Sequence, residues 1–240
     1  MSELGLSSRR EADEWIPRGW VRVDGRVVSQ LGARVHPESV ITLDPRARSE
    51  QASRITVLLH KPLDVVSGQA EDGHEPAIAL IRADTQWTGD GSGRQFEPDH
   101  LRYLAPAGRL DLDSTGLLVL TQDGRVARVL VGEDRTVDKT YLVRIEPMAG
   151  HALLDEAGLA RMRHGLELDD EPLLPAEVEW AAPGQLRVVL REGKKRQIRR
   201  MAEAVGQRVV ELVRVAIGRI ELGDLPPGRW RYLRDDESFT

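Results

Sequence analysis

Leu117-Leu118-Val119-Leu120 is an uninterrupted apolar run of strand length with turn-forming residues on both sides, Asp113-Ser114-Thr115-Gly116 before it and Gln122-Asp123-Gly124 after it. A short apolar run so punctuated reads as a buried strand. A buried strand needs neighbours, and the sequence supplies them. Residues 55–59, 137–145 and 208–215 are rich in β-formers, and 176–180 with 185–190 read as a hairpin across Pro183-Gly184. Helical patterns fall at 124–131, 149–162 and 194–205, and 82–100 is a polar, glycine-containing loop. Grouped strands with single helices between them predict an α+β fold, with a mainly antiparallel mixed sheet flanked by helices.

The first 48 residues form a separate small α/β unit by the same criteria. Ser8 and Glu11 make a capping box ahead of Ala12, Trp15 and Ile16, and Pro17 and Gly19 end that helix. Asp24-Gly25 separates Val21-Arg22-Val23 from Arg26-Val27-Val28, a two-residue hairpin signal, and 39–43 reads as a third strand. Residues 45–54 are polar and lack apolar periodicity. They read as a connector, which sets the boundaries at a 1–48 unit, a 49–54 linker and a 55–240 unit.

The chain of 240 residues contains no cysteine, so disulfides, thiol nucleophiles and Cys-ligated zinc are excluded together. No segment reaches the ~18 consecutive apolar residues of a membrane span, and the N-terminus lacks the pattern of a secretory signal. A cytoplasmic, monomeric protein is the expectation. The net charge of −5 argues against polyanion binding, but its distribution argues for it. Between residues 187 and 200 stand Arg187, Arg191, Lys194, Lys195, Arg196, Arg199 and Arg200 against one acid, Glu192. That density is the footprint of a phosphate-bearing partner.

Asp111 follows Arg109 and precedes a Ser-Thr-Gly turn, so a carboxylate is fixed at a strand entrance beside a cation. A structural turn cap is one role for it, and nucleophilic chemistry on an anionic substrate is another. Asp111 and Asp113 point apart if extended, which fits neither a shared metal nor a glycosidase pair. Ser114 lacks the context of a serine nucleophile.

Several strings carry a family resemblance. Gly108-Arg109-Leu110-Asp111 resembles the catalytic motif of pseudouridine synthases, and Leu59-His60-Lys61-Pro62 resembles the motif that opens their catalytic domain. Lys139-Thr140-Tyr141-Leu142-Val143, Glu192-Gly193-Lys194-Lys195-Arg196-Gln197-Ile198-Arg199-Arg200 and Leu212-Val213-Arg214-Val215-Ala216-Ile217-Gly218 match their later motifs in order. Ser8-Arg9-Arg10-Glu11-Ala12 and the hairpin after it resemble the RNA-binding domain named after the fourth small-subunit ribosomal protein. Three positions depart from the pattern: His60 where Asn is common, Asp64 where Gly is frequent, and Arg196 where the small-subunit members carry His.

The resemblance implies an enzyme that isomerises uridine to pseudouridine in ribosomal RNA without cofactor or metal. Arg196 points to the large subunit, while tRNA and small-subunit rRNA stay open as substrates. Asp111 would act as nucleophile or assist elimination, Arg199 would pair with Asp111, and Tyr141 would stack on the uracil. Arg109 would fill the space left by a flipped base, and Arg9, Arg10, Lys194, Lys195, Arg196 and Arg200 would contact RNA. A non-catalytic RNA-binding or ribosome-assembly factor is the alternative.

Overall fold

The computed structural model describes residues 1–132 and 137–240. Helix α1 (Arg9–Trp15) starts at the expected capping box, where the Glu11 amide donates to the Ser8 hydroxyl and the Ser8 amide to the Glu11 carboxylate. Strands β1 (Val21–Val23) and β2 (Arg26–Val28) form the hairpin. Asp24 (φ 48°) and Gly25 (φ 79°) both take the left-handed conformation that a type I′ turn requires. Strand β3 (Ile41–Leu43) pairs with the other edge of β1.

The stretch read as a linker is helical instead. Asp44 caps α2 (Pro45–Ala52), and Pro45 occupies the first turn, where its missing N–H is no loss. This helix has no apolar stripe. Its stability comes from contacts the local pattern cannot reveal: Ala47 is buried, Gln51 Nε2 donates to the Leu6 carbonyl at 3.1 Å, and the Trp15 indole donates to Glu50 at 3.3 Å.

The remainder is one large sheet with attachments. In chain order it comprises β4 (Thr56–Lys61), the short parallel pair β5 (Val65–Val66) and β6 (Glu75–Pro76), β7 (Ala105–Pro106), β8 (Thr115–Thr121) and α3 (Gly124–Val131). Then follow β9 (Lys139–Pro147), α4 (Glu156–Arg163), the hairpin of β10 (Glu167–Leu168) and β11 (Glu171–Pro172), β12 (Glu177–Ala182) and β13 (Gln185–Leu190). The chain closes with α5 (Gln197–Glu203), β14 (Gln207–Ile217), β15 (Ile220–Glu221) and β16 (Trp230–Tyr232).

Among the described residues the sheet order is β12-β13-β9-β14-β8-β4-β16, with β15 on β14 and β7 on β8. Every contact in it is antiparallel except β14 with β8, which run parallel at Val213–Thr115 and Arg214–Gly116. The fold is therefore α+β with a mainly antiparallel mixed sheet. The apolar run in β8 is explained by its position: Leu118 and Leu120 join Val57 and Leu59 on one face, while Leu117 and Val119 join Leu58 on the other. A strand covered on both faces has no polar side to show.

Two helices are shorter than their patterns. α4 begins at Glu156 rather than 149, because Asp155 caps it by accepting from the Gly158 amide. α5 begins at Gln197 rather than 194, because Arg196 (φ 52°) stands at its entrance in a left-handed conformation. Lys195 therefore shares no helical face with Arg199. Of Ile198, Met201, Ala202 and Val205, which helical spacing turns to the core, the first three are buried, while Val205 lies beyond the end of α5 and is half-buried against the same core.

Candidate active site

Asp111 lies in the loop that enters β8, next to the parallel pairing of β8 with β14. The backbone around it is tethered almost residue by residue. Ser67, 3% exposed, donates its hydroxyl to the Leu110 carbonyl at 2.7 Å and accepts from the Leu110 amide at 2.9 Å. The Asp64 amide donates to the Leu112 carbonyl at 3.1 Å, and the Ser114 amide closes a turn onto the Asp111 carbonyl at 3.1 Å. Arg199 Nη2 donates to the Asp113 carbonyl at 2.6 Å, and Arg214 Nη1 to the Arg109 carbonyl at 3.2 Å. Lys61, fully buried, holds the turn beneath by donating to the Pro62 and Val65 carbonyls at 2.8 and 2.9 Å.

The two aspartates differ sharply in commitment. Asp113 binds Arg196 through two bonds of 3.1 and 2.9 Å and lies 3.3 Å from Arg199 Nε. Burial pushes the Asp113 carboxyl up, but the Arg196 hydrogen bonds and the Arg199 and Arg196 charges outweigh it, so its pKa is lowered. Asp111 has no hydrogen-bond or ion-pair partner for its carboxylate among the described residues, yet it stands within the field of Lys61, Arg196 and Arg199. Burial pulls the Lys61 pKa down to about 8, against the opposing charges of Asp111, Asp113 and Asp64.

The expected Arg199–Asp111 pair is thus corrected: the ion-pair partner of Arg199 is Asp113. The 111–114 turn is the physical reason. It replaces the extended geometry assumed for the two carboxylates and turns residue 113 toward α5. Arg199 is 8% exposed and also donates to the Val209 carbonyl at 3.1 Å, so its guanidinium is fixed between α5, β14 and the Asp111 loop. Tyr141, 8% exposed on β9, stands in register with Arg214 of β14, the residue whose guanidinium reaches the Arg109 carbonyl.

The basic residues are less free than the sequence suggests. Within 187–200 only Glu192 is acidic, but the fold delivers acids from elsewhere. Arg200 binds Asp169 through bonds of 2.9 and 2.7 Å, Lys194 binds Glu171 at 2.8 Å, and Arg196 is taken by Asp113. Asp169 and Glu171 belong to the β10–β11 hairpin, whose two-residue strands are too short to leave a pattern. Lys195, Arg109, Arg9 and Arg10 are exposed.

Sequence reasoning did not single out Ser67, Lys61, Arg214 or Asp113 as site residues. Two of these carry a readable signal. Lys61 continues the phase of Val57 and Leu59, and Arg214 that of Leu212, so each is a cation at a buried position of its strand. Such a placement is costly without a purpose.

The chain is similar to known proteins over most of its length. A model of the RNA pseudouridylate synthase family matches residues 55–204, and an S4 domain model matches residues 1–41. An RNA pseudouridine synthase of Aquifex aeolicus (strain VF5) is 34% identical over 99% of this chain and 89% of its own length. Ribosomal large subunit pseudouridine synthase B of Bacillus subtilis is 29% identical over 99% of this chain and 91% of its own. The dual-specificity RNA pseudouridine synthase RluF of Escherichia coli is 31% identical over 99% of this chain and 74% of its own. A solved pseudouridylate synthase superposes with a TM-score of 0.62 at 25% identity, covering 94% of this chain and 90% of that one. The chain belongs to the RNA pseudouridylate synthase family.

Proposed function

We propose that this synthase isomerises a specific uridine of large-subunit ribosomal RNA, with Asp111 carrying the chemistry. The observation that carries the assignment is the contrast between a tethered backbone and an uncommitted carboxylate. Asp111 is held at residues 110, 112 and 113 and at its own carbonyl, while its side chain keeps no partner among the described residues. A carboxylate that only shaped the turn would spend its oxygens on it, as Asp113 spends its own on Arg196.

The reaction breaks the bond from sugar to base nitrogen, turns the uracil and rejoins it through a ring carbon, so atoms and electrons balance within the substrate. Asp111 acts at the sugar–base junction as nucleophile or as the group that assists elimination. The base must leave its stack, at a cost of a few kcal/mol. Arg109 is exposed, and its guanidinium has no hydrogen-bond partner among the described residues, which suits it to fill the vacated space. Tyr141 supplies the aromatic face against the uracil. Arg199 positions the loop through Asp113 and its carbonyl rather than through Asp111.

Residues 1–48, extended by α2 to Ala52, act as the RNA-binding module and 55–240 as the catalytic part. Arg9 and Arg10 contact phosphate from α1, joined by Lys195 and, when RNA displaces their carboxylates, by Lys194, Arg196 and Arg200. The likeness to the Bacillus subtilis enzyme and Arg196 at the motif's first position support the large subunit. The test is incubation with unmodified large-subunit rRNA, small-subunit rRNA and tRNA transcripts, followed by pseudouridine mapping. A discrete site in large-subunit rRNA is expected. Modification confined to either other RNA overturns the substrate assignment.

A further inference from the structure

We infer that Arg214 is a positioning residue for the Asp111 loop. The inference rests on Asp111 as the reactive group. Arg214 sits on β14 opposite Gly116, where β14 and β8 run parallel, and is 2% exposed. Its Nε donates to the Leu117 carbonyl at 2.7 Å and its Nη1 to the Arg109 carbonyl at 3.2 Å. These carbonyls lie at the two ends of the segment that contains Asp111, so one rigid group fixes both the departure and the return of the loop.

Stability alone does not account for this choice. Arg214 Nη2 is shielded from solvent and has no hydrogen-bond partner among the described residues. Leu212 fills the same strand phase two residues earlier with no polar atom to desolvate. A buried guanidinium left partly unsatisfied is a poor way to hold a core together. It is a good way to hold two carbonyls in fixed relation, because the guanidinium is planar and its donors diverge at set angles. The neighbourhood is also closed to adjustment: a Cβ on Gly116 would stand 2.6 Å from the Arg214 amide nitrogen.

Lysine keeps the charge but carries all its donors on one nitrogen at the end of a flexible stem, so Arg214→Lys isolates the fork. The experiment compares Arg214→Lys with Arg231→Lys, which alters another buried arginine, one paired with Glu237 at 2.7 and 2.8 Å on the far strand β16. Steady-state kcat and KM on rRNA and melting temperature are measured for both, with single-turnover rates at saturating rRNA beside them. Misplacement of a reacting group by ~1 Å costs about 10²-fold. Arg214→Lys is therefore expected to lose at least about tenfold in kcat, with KM within about threefold, while Arg231→Lys keeps kcat. An unchanged kcat, a defect confined to KM, matching kcat losses in the two variants, or failure of Arg214→Lys to fold overturns the inference. Asp111→Asn is run beside them: pseudouridine formation by that variant overturns the Asp111 reading itself, whatever Arg214→Lys does.

Discussion

Gly116→Ala tests whether the junction between β8 and β14 is as tight as the site requires. Gly116 has φ +108°, a region that L side chains rarely adopt. An added Cβ would meet the Arg214 amide nitrogen at 2.6 Å and carbonyl carbon at 2.9 Å, with the carbonyl oxygen nearer still. All three are backbone atoms of a paired strand, so no side chain can swing aside. Backbone strain of this kind costs of order 1–3 kcal/mol, and overpacking typically adds 1–3 kcal/mol. A total of about 4 kcal/mol corresponds to a fall in melting temperature of roughly 8–16 °C for a chain of this size. Denaturant unfolding and thermal melts measure it. Gly68→Ala is the internal control, because nothing lies within 4 Å of its added Cβ and its φ is not positive. A Gly116→Ala loss below about 1 kcal/mol, or one equal to that of Gly68→Ala, would refute the reasoning.

Ser67→Ala leaves the Leu110 amide and carbonyl without their buried partner, and is expected to cost about 2 kcal/mol of stability and to lower the single-turnover rate more than RNA affinity. Equal rates for variant and wild type would show that the loop holds without it. For Asp113→Asn the pH dependence has a definite sign. The folded-state pKa of Asp113 is lowered from 3.8, so its stabilisation is full above that value and is lost as pH falls through the folded one. The stability difference from wild type should therefore be present at pH 7 and shrink in acid; a difference constant from pH 7 to pH 2 contradicts it. Asp169→Asn releases Arg200 for phosphate, and RNA titrations across salt should show tighter binding with a slope steeper by up to about one. An unchanged slope would mean that Arg200 does not meet RNA.

What the sequence disclosed and what it concealed divide along a physical line. Signals that act within a few residues were legible. The Ser8–Glu11 capping box, the Asp24-Gly25 turn and the two-faced burial of β8 all appear where the pattern puts them. Features decided by distant partners were not. Helix α2 is stabilised by Leu6 and Trp15, some thirty-five to forty-five residues away in sequence. The choice of Asp113 rather than Asp111 by Arg199 depends on a turn and on a contact spanning 86 residues. The carboxylates that occupy Lys194 and Arg200 come from a hairpin of two-residue strands whose tip, Asp169-Asp170, takes left-handed φ values of 57° and 60°. The motif located Asp111 at once, but the side chains that hold its loop come from β4, the 62–67 turn, α5 and β14, and only their assembly reveals the role of each.

The most direct test of the central claim is Asp111→Asn assayed on unmodified large-subunit rRNA beside wild type, with pseudouridine mapped and RNA affinity measured in the same preparation. The substitution keeps the size of the side chain and removes its charge and nucleophilicity, and no hydrogen bond of the described structure depends on the carboxylate. Wild type is expected to modify a discrete uridine, and the Asn variant to form no pseudouridine while binding RNA within a few-fold of wild type. Appreciable product from a verified Asn variant would contradict it.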